Sequence, residues 1–162
     1  MNGLLIGRFQ PFHNGHLAAV MHGLKRCENL WIGIGSSNKS DERNPFSAEQ
    51  RKEMIALSVG EDSMRRVQIF YIPDVSAHER WTYHVDAIIP GYDIVFSNDD
   101  FTLGLFRQRG INAIPVPYLS RETISGTAIR ERICRGDEWQ SLVPRGTRDV
   151  LNSVLLGPVK RV

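Results

Sequence analysis

The chain alternates short apolar runs with longer stretches whose apolar residues recur at helical spacing. Leu4-Leu5-Ile6, broken by Gly7, predicts one buried strand, and Leu30-Trp31-Ile32-Gly33-Ile34-Gly35 a second. Val67 to Ile72, stopped by Pro73, predicts a third, Tyr92 to Phe96 a fourth and Ile111 to Val116 a fifth. Between them, His16 to Cys27 sets Leu17, Val20, Met21 and Leu24 at helical spacing. Ser47 opens a helix with Glu49 and Gln50 in its first turn, Met54, Ile55 and Leu57 inside and Gly60 past its end. Further helices are predicted from about Ala77 to Ile89, from about Asp99 to Arg109 with Gly110 as C-cap, and from Ser125 to Cys134 with Gly136 beyond. Pro144 and Gly146 favour the start of a last helix over Arg145 to Leu155, or the turn before it.

This order predicts an α/β fold: a Rossmann-like, doubly wound, parallel five-stranded sheet with helices on both faces. The expectation is a single domain over 1–162, with a short C-terminal helical part from about 137 and no repeat, low-complexity segment or long linker. Such sheets bind ligands at the carboxyl ends of their strands, where strand order reverses, so the loop after strand one is the first place to look.

Composition narrows the class. At 162 residues, 41% apolar and 23% charged, the chain can bury a core and carve a cleft in it. A net charge of +2 argues against nucleic-acid or membrane partners, though local basic clusters could hold phosphates. Cys27 and Cys134 lie far apart and match no metal or disulfide pattern, which favours a reduced, cytoplasmic setting. No apolar run approaches the roughly 18 residues of a membrane span, and the first residues lack the basic start and cleavage site of a signal peptide.

The loop after strand one reads Gly7-Arg8-Phe9-Gln10-Pro11-Phe12-His13-Asn14-Gly15-His16-Leu17. Gly7 frees the turn, Gly15 admits close approach to the backbone, and the helix start offers N–H groups and a positive dipole end to an anion. His13 and His16 can aim donors at one anion, with Arg8 adding a planar fork. A lone histidine there is usually a helix cap or a solvated side chain, but a glycine-bounded loop with two histidines and an arginine is a stronger signal than any piece alone; no motif supplies the third protein ligand of a catalytic zinc. Neither a Walker A loop nor the six-residue Rossmann glycine pattern is present. A second anion-binding helix start follows strand five in Ile124-Ser125-Gly126-Thr127-Ala128-Ile129-Arg130, with Ser125 as N-cap and Arg130 one turn inside. Two such starts on one sheet rim could hold one polyphosphate.

G-R-F-Q-P-F-H-N-G-H followed by I-S-G-T-A-I-R resembles the HxGH nucleotidyltransferase superfamily. The G-R-F-Q-P-F form and the R-N-P-F-S-A-x-x-R segment are most similar to the archaeal-type nicotinamide-nucleotide adenylyltransferases. The resemblance implies a reaction of ATP with nicotinamide mononucleotide to NAD and pyrophosphate, with Mg²⁺ accompanying ATP, and a homo-oligomer, possibly a hexamer. It assigns ATP binding to Gly7, Arg8, Phe9, His13, Gly15, His16, Ser125, Thr127 and Arg130, and catalysis to His13, His16, Arg43 and Arg130. Acceptor binding falls to Asp74, His78, Trp81 and Asn98. Position 78 departs from the asparagine usual in the family, which raises nicotinate mononucleotide as an acceptor. Asp99 and Asp100 are helix-capping candidates before they are a metal pair. The rivals are a sibling enzyme acting on FMN or phosphopantetheine, and a regulator that binds ATP or NAD without turnover.

Overall fold

The computed structural model describes residues 1–117 and 123–155, with the backbone alone at position 78. Five parallel strands form one sheet: β1 (Asn2–Gly7), β2 (Asn29–Ile34), β3 (Val67–Tyr71), β4 (Ile94–Ser97) and β5 (Asn112–Pro115). Their order is β3-β2-β1-β4-β5. The chain winds outward from β1 to one edge, crosses back, and continues from β4 to the other edge. The reversal therefore falls between β1 and β4, which pair with Gly3 opposite Ile94 and Leu5 opposite Phe96.

Alternation along the strands builds two apolar layers. Leu5, Ile32 and Phe96 face one layer, while Leu4, Val95 and Trp31 face the other. The first layer is closed by α1 (Asn14–Leu24), α2 (Ala48–Val59), α6 (Gly126–Arg135) and α7 (Arg145–Leu155), through Val20, Met54, Ile55, Ile129 and Leu151. The second is closed by α4 (Trp81–Ile88) and α5 (Asp100–Gln108), through Val85, Leu103 and Phe106. Trp139 and Val143 join the first layer, so the segment beyond 137 shares the core of the sheet. Gly146, expected to mark a helix start, has a packing role inside α7. A Cβ there would lie 2.5 Å from the backbone of Leu57 and Ser58, so glycine is what lets α7 settle on α2.

The predicted strands and long helices form, with shifted ends. The first helix begins at Asn14 rather than His16, because the His13 side chain caps it. The stretch predicted as one helix from Ala77 divides into a 3-10 turn at His78–Arg80 and α4, whose N-terminus no side chain caps. A short α3 (Glu61–Met64) follows Gly60 unannounced. β5 ends on Pro115, which an edge strand tolerates because its missing N–H breaks no internal ladder. No helix among the described residues is long and apolar enough to cross a membrane.

Candidate active site

Two clefts open at the C-terminal rim of the sheet. One, of about 280 Å³, lies between the starts of α1 and α6. The other, of about 670 Å³, lies over the loops after β2, β3 and β4. They share Ile6, Gly7, Arg8 and Asn98, the ends of the two strands that flank the reversal.

The first cleft is shaped by the turn after β1. The left-handed residue there is Phe9, with φ 55°, and not Gly7. Gly7 instead leaves room for the Phe9 ring, which lies 2.8 Å from where its Cβ would be. His13 and His16 stack with ring centroids 3.5 Å apart, and Phe9 and Phe12 pack against His16. The pair also caps α1 reciprocally. The His16 N–H donates to His13 Nδ1 at 3.3 Å, and the His13 N–H donates to His16 Nδ1 at 3.2 Å. An Nδ1 that accepts a hydrogen bond carries no proton, so each neutral ring holds its proton on Nε2. Burial reinforces the neutral form: it lowers the His13 pKa to about 4, and burial together with the neighbouring His13 lowers His16 well below its usual 6.5. Capping therefore spends Nδ1 on the helix and leaves Nε2–H as a neutral donor on each of two rings that line the cleft.

The second helix start closes the same cleft. Ser125 accepts from the Ala128 N–H at 3.1 Å, leaving its O–H to donate. Arg130 reaches back to the first loop, donating from Nη1 to the Gln10 carbonyl at 2.6 Å, while Nη2 bonds Thr127 Oγ1 at 3.4 Å. Its pKa is lowered by burial and by the charges of Arg8 and Arg43. Like charges brought together in this way have use for an anion between them. The cleft wall formed by described residues contains no carboxylate.

The second cleft has a different character. Asp74 accepts from the Ser36 hydroxyl at 3.0 Å, and its backbone N–H donates to Asn38 Oδ1 at 2.9 Å. Trp81 lines the cleft while its edge packs on Phe106 at 5.9 Å, so its indole is both core and wall. Asp99 caps α5, accepting from the Thr102 N–H at 2.8 Å and hydroxyl at 2.6 Å.

The predicted residues thus gather in two groups joined at Gly7, Arg8 and Asn98, with two exceptions. Arg43 is exposed in the turn that the Asp41–Asn44 bridge closes and lines the wall of neither cleft, although its charge bears on Arg130. The His78 side chain lies outside the described structure.

Residues 4–132 match the cytidylyltransferase-like family. The nicotinamide-nucleotide adenylyltransferase of Thermococcus sibiricus is 36% identical over 95% of this chain and 84% of its own. The enzyme of that name from Methanolobus tindarius is 37% identical over 92% and 86%. The chain belongs to the nicotinamide-nucleotide adenylyltransferase family. The same fold recurs in a bifunctional NMN adenylyltransferase/ADP-ribose pyrophosphatase of Francisella tularensis, solved with AMP and a manganese ion. That structure has a TM-score of 0.81 at 24% identity over 99% of this chain, which spans half of that longer protein.

Several residues that build the two clefts escaped motif reading. Gln10 is buried and exchanges two hydrogen bonds with the Phe46 backbone, at 2.9 and 3.0 Å, tying the first loop to the segment after β2. Lys39, Ser36 and Phe101 line the second cleft. Gln10 lies inside the G-R-F-Q-P-F motif and could have been singled out; Lys39 and Phe101 carry no local signal.

Proposed function

We propose that this protein transfers the adenylyl group of ATP to nicotinamide mononucleotide, giving NAD and pyrophosphate. A 5′-phosphate oxygen of the acceptor attacks the α-phosphorus of ATP. The new P–O–P bond forms as the bond to the β-phosphate oxygen breaks, and pyrophosphate leaves with that electron pair. The observation that carries this reading is the pair of clefts meeting at one wall. Among the described residues one has only neutral and cationic donors, and the other has an aromatic face and a fixed carboxylate.

In this mechanism His13, His16, Ser125, Thr127 and Arg130 hold the ATP phosphates, with Gly7, Arg8, Phe9 and Gly15 forming the cradle. Because both histidines are neutral Nε2–H donors, they answer charge that develops on the phosphates without a change of protonation. Arg8 stands at the shared wall, where both phosphates converge. Arg43 adds charge from outside the walls. Divalent metal enters as part of the substrate, as MgATP: the absence of carboxylates among the described lining residues suits an ion held by phosphates and water. Asp74, Trp81 and Asn98 hold the acceptor. The chain acts as one cytoplasmic domain in a homo-oligomer.

The reading is tested with purified protein, ATP, Mg²⁺ and nicotinamide mononucleotide, following NAD and pyrophosphate together. Equal amounts of both support it. Pyrophosphate release only with another phosphorylated acceptor keeps the adenylyl transfer and discards the acceptor. ATP binding without turnover favours the regulator.

The histidine at position 78 supports a second acceptor. A cationic His78 would favour the carboxylate of nicotinate mononucleotide over the carboxamide. Comparing kcat/KM for the two acceptors decides this, and a strong preference for the amide overturns it.

A further inference from the structure

Arg51 sits on α2, in the wall of neither cleft, and is fully buried at 0% exposure. Among the described residues no carboxylate comes within ion-pair distance of it. A buried charge without a counter-ion is costly unless its donors are well used. Here they are spent on backbone carbonyls. Nε donates to Ser47 at 3.2 Å, Nη1 to both Arg8 and Gly35 at 2.8 Å, and Nη2 to Ser36 at 3.3 Å.

Those carbonyls mark two particular turns. Arg8 precedes Phe9, at φ 55°, and Gly35 precedes Ser36, at φ 49°; they are the only left-handed non-glycine residues among those described. Each such residue is strained and persists only where its surroundings hold it. The turns leave adjacent strands side by side, with Gly7 opposite Ile34 and the Gly35 N–H donating to the Gly7 carbonyl at 2.8 Å. The first turn carries Arg8 and the histidine pair to the nucleotide cleft. The second carries Ser36, which fixes Asp74 in the acceptor cleft. One guanidinium therefore grips the starting points of both binding loops.

We propose that Arg51 is a positioning residue for adenylyl transfer, setting the nucleotide cleft and the acceptor cleft in register by clamping the turns after β1 and β2. This rests on the two-substrate reading given above. Arg51 touches neither substrate, and each cleft keeps its own binding groups when the clamp is loosened. What suffers is alignment of the attacking oxygen with the phosphorus, where a misplacement of about 1 Å can cost about 100-fold in rate. The signature is a fall in kcat with little change in either KM.

The test uses Arg51→Lys, which keeps the charge but has a single nitrogen that cannot span all four carbonyls, and Arg51→Ala, which leaves space for a guanidinium ion. Rates are taken per folded molecule, with circular dichroism melts giving the folded fraction. We expect kcat of Arg51→Lys to fall about 100-fold, with both KM values within about threefold of wild type. Millimolar guanidinium should raise kcat of Arg51→Ala by about tenfold or more and leave wild type unchanged. If Arg51→Ala folds only with guanidinium, recovered kcat supports the clamp, and folding without kcat reduces Arg51 to a structural part and overturns it. A kcat of Arg51→Lys within about threefold of wild type, or a rise in KM at constant kcat, also overturns it. Wild-type protein that makes no NAD would overturn the reaction instead. The clamp is then judged by calorimetry on the mutual effect of nicotinamide mononucleotide and a non-hydrolysable ATP analogue. A weaker mutual effect in Arg51→Lys supports it, and an unchanged one overturns it.

Discussion

His13 and His16 each use one ring nitrogen to cap α1 and keep the other as a donor, which separates two roles that one substitution usually confounds. Asparagine is a good helix N-cap. His13→Asn should therefore keep the fold, with a near-wild-type melt, yet lose about 10²-fold in kcat through the lost donor. His16→Ala should cost about 10²–10³-fold in kcat; a loss below about threefold would remove it from the mechanism. The pH behaviour has a definite sign. Below pH 6.5 the unfolded chain binds a proton at His13 that the folded chain refuses until about pH 4. Stability therefore drops across that window, by on the order of 3 kcal/mol from His13, and levels off below it. Melts at pH 7 and pH 5 should differ in wild type and differ less in His13→Asn. Lys39 lines the second cleft, the proposed acceptor side, and not the first. Lys39→Ala should raise KM for the acceptor several-fold and leave KM for ATP in place, as steady-state kinetics with each substrate varied will show.

At the scale of elements, the order of strands and helices was legible because buried parallel strands read as short apolar runs and helices carry their own punctuation. Ser47 and Ser125 cap α2 and α6 as read, and Asp99 caps α5. The histidines and Arg130 could be brought to one rim on paper because the fold puts both helix starts there. Long-range choices were not legible. Arg51 closes a marked motif, but its carbonyl partners lie up to 43 residues away. The left-handed conformation of Phe9 runs against its residue type and is imposed by packing. Gly146 reads as a turn signal and works as a contact between α7 and α2, the helix that carries Arg51. Gly146→Val should force these helices apart, at about 1–3 kcal/mol for overpacking, which lowers the melting temperature by roughly 2–10 °C. Activity per folded molecule should fall with it, and a melt within about 1 °C of wild type would deny the contact.

Across the whole molecule, a net charge of +2 hides a local concentration of cation. Arg8 and Arg43 lie close enough for their charges to bear on Arg130, while the described ion pairs, such as Arg65 with Asp62, sit elsewhere. Salt should therefore act on binding more than on folding. Raising ionic strength from about 0.05 to 0.5 M should increase KM for ATP several-fold with little change in the melt.

The wall common to the two clefts also governs what happens after the chemistry. On the proposed reading a dinucleotide product would lie across both halves at once and inherit the grip of each, without the second loss of rotational and translational freedom that separate substrates incur. Departure of NAD should then be the slow event, and NAD should compete with either substrate. Viscogens that slow diffusion should lower kcat in proportion, and an NAD fragment that fills one half alone should leave far faster than the whole.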